Sequence, residues 1–161
     1  AAQTVAVTFE PKPIAAPPRG DEEISQTIKL GKPGTTGNLV WTIRKVSKPK
    51  RLTAEYSETL EAQGFFVIVE GTIRNRGRQS LHVGSGSLTV IDDKGREFEA
   101  LEDGYFYVLD NKSFIFEQIN PGLKRQWQVI FEVPKNAKGL LLRVGDGELF
   151  SDKNVIIDLG E

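Results

Sequence analysis

The sequence has no cysteine, no methionine and a single histidine, His82, among its 161 residues. Without thiols there is no disulfide, no thiolate nucleophile, no iron–sulfur cluster and no cysteine-based zinc site, and one imidazole excludes every multi-histidine metal centre. Copper carriage needs Met, His or Cys ligands and goes with them. No cofactor is expected. Long apolar runs are missing too: Phe65 to Val69 and Leu140 to Leu142 fall far short of the ~20 residues that a spanning helix needs. Charge of one sign is also lacking. The 21 Lys and Arg oppose 22 Asp and Glu for a net −1, which leaves no whole-molecule field to draw the chain onto nucleic acid or an anionic membrane. Nucleic acid is therefore not an expected partner, and any charge-led binding has to be local. The missing methionine means that Ala1 is not a translation start. Ala1-Ala2-Gln3 fits the small-residue side of a signal-peptidase cut, so the expectation is an extracytoplasmic chain, secreted, periplasmic or surface-anchored, whose leader or N-terminal anchor was removed.

What is present describes one ordinary domain. With 39% hydrophobic and 27% charged positions, a chain of this length buries a core without staples. Four of the eight prolines (Pro11, Pro13, Pro17 and Pro18) fall in the first 18 residues, and the charged run Arg19-Gly20-Asp21-Glu22-Glu23 follows. Proline removes backbone donors and favours extended geometry, so residues 1–23 read as a linker or extended tail ahead of a folded domain at 24–161. Val5, Val7 and Phe9 alternate and suit one edge strand.

From Ile24 onward, short apolar runs are separated by Gly, Asn and Asp, the pattern of strands joined by turns. Leu39, Trp41 and Ile43 share a face of one run; Phe65, Val67 and Val69 share a face of another; Trp127, Val129, Phe131 and Val133 share a face of a third. Asp92-Asp93-Lys94-Gly95 supplies hairpin chemistry between Leu88 to Ile91 and Arg96 to Glu99, and Asn120-Pro121-Gly122 does the same before the Trp127 run. Leu140 to Val144 and Val155 to Leu159 close the chain as two more strands. In Leu52 to Gln63 the apolar spacing is four residues, but a loop or edge strand is preferred there to a short helix. The expected fold class is all-β: an immunoglobulin-like antiparallel β-sandwich of about 7–9 strands, with a barrel as the second architecture.

The order of these elements resembles a known family. Val40-Trp41-Thr42-Ile43-Arg44-Lys45-Val46, then Gly64 to Gly77, Leu88 to Phe98, Ile119-Asn120-Pro121-Gly122, Phe131-Glu132-Val133-Pro134 and the final run are similar to the telokin-like domains of unknown function in bacterial extracellular and lipoprotein sequences, grouped with the mycobacterial immunoprotective extracellular protein. The likeness covers roughly residues 38–159 in its order of strands. It implies an immunoglobulin-like sandwich outside the cytoplasm, no established enzymatic activity and no catalytic residue. Among the matching pieces, Asn75 suits a turn held by side-chain to backbone bonding, and Gly77 and Gly122 suit unusual dihedrals. The departures are the proline-rich start and the aromatic segment Asp103 to Phe116.

Two candidate binding sites follow. In a strand, Tyr105 and Tyr107 share a face beside Asp103, an arrangement that stacks on sugar rings or a peptide while the carboxylate bonds hydroxyls; the plainer reading makes them covers of the sandwich end. Arg44, Lys45, Lys48, Lys50 and Arg51, together with Arg74, Arg76 and Arg78, form a local basic patch for anionic wall polymer, lipid headgroups or nucleic acid if their loops adjoin. The plainer reading is a solvated rim with guarded edges, neutralised by Glu55, Glu58 and Glu61. Asp92-Asp93, Glu102-Asp103, Asp146, Glu148 and Asp152 offer oxygen ligands without the spacing of a calcium loop. His82 with Ser80, Ser85 or Ser87 is a weak nucleophile set, and a carboxylate-based hydrolase needs a pair of acids converging in a cleft. The expected function is a non-catalytic binding or interaction module of a bacterial envelope or secreted protein, with a protein or cell-wall glycan as partner. Carbohydrate binding and hydrolysis are the alternatives.

Overall fold

The computed structural model describes residues 23–54, 57–102, 104–107, 117–145 and 153–159, and within them the two-residue alternation of large side chains becomes strand wherever it occurs. In chain order the strands are β1 (Glu23–Lys29), β2 (Pro33–Thr36), β3 (Leu39–Ser47), β4 (Arg51–Ala54), β5 (Ser57–Glu61), β6 (Phe65–Asn75), β7 (Leu81–Val83), β8 (Leu88–Ile91), β9 (Glu97–Glu99), β10 (Glu117–Ile119), β11 (Lys124–Val133), β12 (Leu141–Gly145) and β13 (Lys153–Asp158). Two short 3-10 turns, Ser85–Ser87 and Gly104–Tyr107, complete the set. A five-stranded sheet runs β1-β13-β12-β8-β9 and a four-stranded sheet runs β11-β6-β3-β2, while β4-β5 and β7-β10 are two-stranded ribbons.

The fold is an all-β sandwich. Trp41, Val69 and Phe131 on the inner face of the four-stranded sheet belong to one buried cluster with Val90, Leu142 and Ile157 of the five-stranded sheet. Trp41 and Trp127 are 0% and 1% exposed. They meet edge to face across β6, with ring centroids 5.8 Å apart and planes at 79°. The Trp41 Nε1–H donates to Thr36 Oγ1 at 2.9 Å, and that hydroxyl donates to the Gly145 carbonyl at 2.8 Å. One indole thereby ties β3 to β2, and through Thr36 to β12 of the opposite sheet. The Trp127 Nε1 is buried without a hydrogen-bond partner among the described residues.

Two features differ from the sequence expectation. The strands number thirteen among the described residues, because members such as β7, β9 and β10 have three residues each, too few for alternation to register. The sandwich is not wholly antiparallel, since β1 lies parallel to β13 with Glu23 opposite Lys153 and Lys29 opposite Asp158. Parallel pairing joins segments distant in sequence and leaves no turn signature. The stretch from Leu52 to Gln63 holds the β4-β5 hairpin, which matches the edge-strand reading. Residues 1–22, and with them the alternating Val5, Val7 and Phe9, lie outside the described residues.

The outer face of the four-stranded sheet is apolar at one end only. Strand geometry turns Phe66 and Ile130 away from the main core, and Leu52 of β4 joins them in a second buried cluster flanked by Leu60, Ile68, Leu101 and Tyr107. The chain leaving β9 closes the edge of β11: Ala100 bridges Phe131, and the Leu101 N–H donates to the Ile130 carbonyl at 2.7 Å. At these two residues the edge offers no free ladder to another chain.

The β8-β9 hairpin forms where the Asp-Lys-Gly chemistry placed it, with Gly95 at φ 79°. Asp92 carries the turn: its Oδ1 accepts the N–H groups of Lys94 and Arg96 at 3.0 and 2.9 Å, and its Oδ2 lies 2.7 Å from Arg96 Nε and 2.6 Å from Nη2. Burial by itself raises the pKa of this carboxyl. The hydrogen bonds from the Arg96 side chain and from the Arg96 and Lys94 backbone, with the Arg96 charge, outweigh it and hold the group below the ordinary aspartate value. A carboxyl depressed in the folded state stabilises it above the unfolded pKa, and that contribution is lost as pH falls through the folded pKa. Asp92→Asn is accordingly expected to be less stable than wild type at pH 7, with the gap narrowing below about pH 4, where the carboxyl of the unfolded wild-type chain begins to protonate while the folded one still resists. Urea midpoints measured across that range check it, and a gap that does not depend on pH contradicts it.

Candidate functional site

The aromatic candidate separates in the structure. Gly104–Tyr107 is one 3-10 turn and not a strand, so positions two apart, about 240° around the axis, do not share a face. Tyr107 is half-buried against the outer cluster, and its hydroxyl donates to the Glu58 carbonyl at 3.1 Å. Its phenol covers the outer cluster beside the β4-β5 hairpin. Asp103 and the side chain of Tyr105 lie outside the described residues.

The basic candidate divides in two. In the β3-β6 ladder Arg74 faces Val40 while Lys45 faces Glu70, so Arg74 and Lys45 stand four residues apart along the strand, about 13 Å. Lys48 and Lys50 follow the far end of β3, and Arg51 opens β4. Arg51 pairs with Glu61 at 3.0 Å with both side chains largely exposed, a contact of small energetic value that still balances charge at that end. Arg44 lies in the bulge between Ile43 and Lys45. At the other end, Arg74 is in register with Lys124 of β11, and Arg76 and Arg78 stand in the loop after β6. All four of these cations are exposed.

Asn75 builds the ground on which that loop stands. As the last residue of β6 it is fully buried, and its side chain spends its bonding capacity on backbone. Nδ2 donates to the carbonyls of Gln79 at 2.7 Å and Ile119 at 2.8 Å, and Oδ1 accepts the Gly77 N–H at 2.8 Å. Its own N–H donates to the Leu123 carbonyl, its carbonyl accepts the Gly122 N–H, and the Arg76 N–H donates to the Asn38 carbonyl. Two turns, at 76–80 and 120–123, are thus pinned to Asn75, and its neighbour Arg76 holds the one at 37–38. Gly122 takes φ 82° as the Asn-Pro-Gly turn requires. Gly77 does not. It is needed for space, because a Cβ there would lie 2.8 Å from Asn38 Cγ.

Beside this anchor is an open depression of about 450 Å³ lined by Asn38, Arg76, Gly77, Arg78, Gln79 and Leu81. Its lining residues include two arginines, an asparagine, a glutamine and one leucine, and no Asp or Glu. Such a lining suits an anion with flanking hydroxyls. Sequence reading found Arg76 and Arg78 but missed Asn38, Gln79 and Lys124. A usable signal was present, because 24–54, 71–91 and 118–131 contain no Asp or Glu.

The other candidates are placed as follows. Asp92 is consumed in its hairpin, and no group of three or more His, Cys, Asp or Glu is placed to hold a metal among the described residues. Asp146, Glu148 and Asp152 lie outside the described residues. The Ser80 hydroxyl donates to Asn120 Oδ1 at 2.5 Å, and His82 is exposed on β7. A second open depression of about 660 Å³ near Gly64 and Pro134 has one carboxylate, Glu132, whose Oε2 accepts the Gln63 N–H at 2.8 Å.

Residues 28–155 match the family model described as a domain of unknown function, DUF4352. No curated protein matches the chain. Among solved structures, the yjhA protein from Bacillus subtilis is 15% identical, with 82% of this chain and 98% of that chain covered at a TM-score of 0.63. The secreted protein MPT63 from Mycobacterium tuberculosis is 15% identical over 82% of this chain and 95% of that one, TM-score 0.58. An uncharacterised β-sandwich protein from Clostridium difficile is 14% identical over 89% and 99%, TM-score 0.52. At these identities the likeness is one of fold. No helix among the described residues is long and apolar enough to cross a membrane.

Proposed function

Since the chain belongs to the DUF4352 family of domains of unknown function, we propose that it is a non-catalytic, extracytoplasmic binding module whose binding end is the loop anchored by Asn75. The observation that carries this reading is a division of labour among polar side chains. Asp92, Asn75, Thr36, Ser80 and Tyr107 are occupied in holding backbone or one another, whereas Arg76 and Arg78 line an open depression. The secreted Mycobacterium tuberculosis protein of the same fold supports a place outside the cytoplasm. The immunoglobulin-like and telokin-like character of the element order belongs to the same proposal.

Co-sedimentation with bacterial envelope fragments tests it. Wild type is expected to pellet with the fragments and to release no soluble breakdown products from them. The double variant Arg76→Gln, Arg78→Gln is expected to stay in the supernatant, while Lys48→Gln with Lys50→Gln, at the other end of β3, pellets like wild type. Release of soluble fragments by the wild type would replace this reading with the hydrolase.

A further inference from the structure

The near-zero net charge conceals a partition that the topology makes visible. The acid-free stretches 24–54, 71–91 and 118–131 carry seven, three and two of the 21 Lys and Arg residues. They supply β2, β3, the distal part of β6 and most of β11, the strands of the four-stranded sheet, as well as β1 and β8 of the five-stranded sheet and β4, β7 and most of β10 in the ribbons. At the lower end of the four-stranded sheet the β4-β5 hairpin brings Glu61 to Arg51. At the upper end, around Asn75, the described residues bring no carboxylate into the depression that Arg76 and Arg78 line. Positive charge therefore stands at that end, on a loop held from beneath by Asn75.

Resting on the binding reading above, we infer that this depression recognises a polyol phosphodiester. Two arginines two residues apart on one loop and lining one depression can offer two guanidinium forks to a tetrahedral phosphate, whose oxygens point in several directions; a carboxylate offers one planar edge that a single fork fills. The amides of Asn38 and Gln79 stand beside them to bond hydroxyls of the polyol, and Leu81 gives its carbon chain an apolar wall. Nothing aromatic lines the depression, so there is no platform for stacking a nucleobase, the usual means of holding single-stranded nucleic acid. A volume of about 450 Å³ falls within the range for small ligands and admits one or two repeat units. Arg74 and Lys124, paired in register on the adjoining outer face, extend the positive surface for the phosphates that follow. The same chemistry occurs in a soluble polyol-phosphate polymer and in a phosphatidylglycerol headgroup.

Titration of the full chain at low salt against three probes decides the matter: poly(glycerol phosphate), vesicles of phosphatidylglycerol in phosphatidylcholine, and polyglutamate as a carboxylate polyanion. Binding to poly(glycerol phosphate), to the vesicles or to both is expected, and which of them binds names the source. Arg76→Gln with Arg78→Gln is expected to weaken that binding about tenfold or more, and raising salt from about 50 to 200 mM to weaken the wild type by about as much, since each phosphate contact releases counterions. Lys48→Gln with Lys50→Gln is expected to leave it within about twofold, because those lysines are remote from the contact and screened. Both pairs are surface substitutions, so loss of fold does not confuse the comparison. Equal affinity for polyglutamate, an unchanged Arg76/Arg78 variant, or no binding to either phosphodiester overturns the inference. If envelope fragments still pellet the chain through Arg76 and Arg78 while no phosphodiester binds, the binding module stands and its assigned ligand falls.

Discussion

Asn75→Ala is expected to lower the stability of the chain by about 3 kcal/mol, seen as a fall of roughly 1.5 M in the urea midpoint. The asparagine side chain bonds the Gln79 and Ile119 carbonyls and the Gly77 N–H, at 2.7, 2.8 and 2.8 Å, and it is completely buried. Alanine leaves these groups facing a small void, and an unpaired buried backbone group costs more than the net value of the bond it lost. The location makes the effect more than local. The residue joins the loop 76–80 to β10 and, through its own backbone, to the turn before β11. At temperatures where the variant remains folded, phosphodiester binding is expected to be weakened as well, because Arg76 and Arg78 then stand on an unanchored loop and ordering it adds to the cost of binding. Asn75→Asp is a sharper control. It keeps the acceptor for Gly77, abolishes both donors and buries a charge against two carbonyls, so it is expected to be at least as unstable as alanine at neutral pH. A midpoint for Asn75→Ala within a few tenths of a molar of wild type would remove Asn75 from the centre of this account.

Trp41→Ala is expected to cost about 3–5 kcal/mol, a large part of the ~5–15 kcal/mol that holds a domain together. Three losses combine. The indole is wholly buried between the sheets, its edge-to-face contact with Trp127 disappears, and Thr36 Oγ1 loses the donor that joined β3 to β2. Trp41→Phe separates these contributions. It retains a ring in the core and removes only the N–H and part of the volume, so its cost is expected to be about 1–2 kcal/mol. Near-ultraviolet circular dichroism gives an independent readout, since two indoles at 5.8 Å couple, and that signal is expected to vanish in either variant. A Trp41→Ala chain that melts with wild type would mean that the two faces do not seal where these tryptophans meet.

Much of this architecture was legible because its physics is local. Leu39-Trp41-Ile43 and Trp127-Val129-Phe131-Val133 alternate with a period of two, and a pleated strand sends every second side chain to the same face whatever surrounds it. Both rows are buried in the core. The β8-β9 turn was equally readable, because Asp92 and Gly95 bring their hydrogen bonds and dihedral with them. The basic candidate was only half legible. Arg74, Arg76 and Lys45 stand out in the sequence, but whether they adjoin depends on the β3-β6 register, and the bulge after Ile43 and the antiparallel direction send them to opposite ends. Tyr105 and Tyr107 misled for a related reason: a run of three aromatics has no period of its own, and Gly104–Tyr107 closes as a 3-10 turn.

By itself, then, the chain's residue order determined its strands, its tight turns, the rows of side chains that had to be hidden and the chemistries that were excluded from the start. Only the tertiary structure decided which strands are neighbours: β1 beside β13, β7 beside β10, and β11 beside β6. The physical reason is range. A side chain's direction and a turn's dihedrals are set within two to four residues, but pairing joins segments tens of residues apart and is selected by the burial of a whole face, a quantity that no short window of sequence contains.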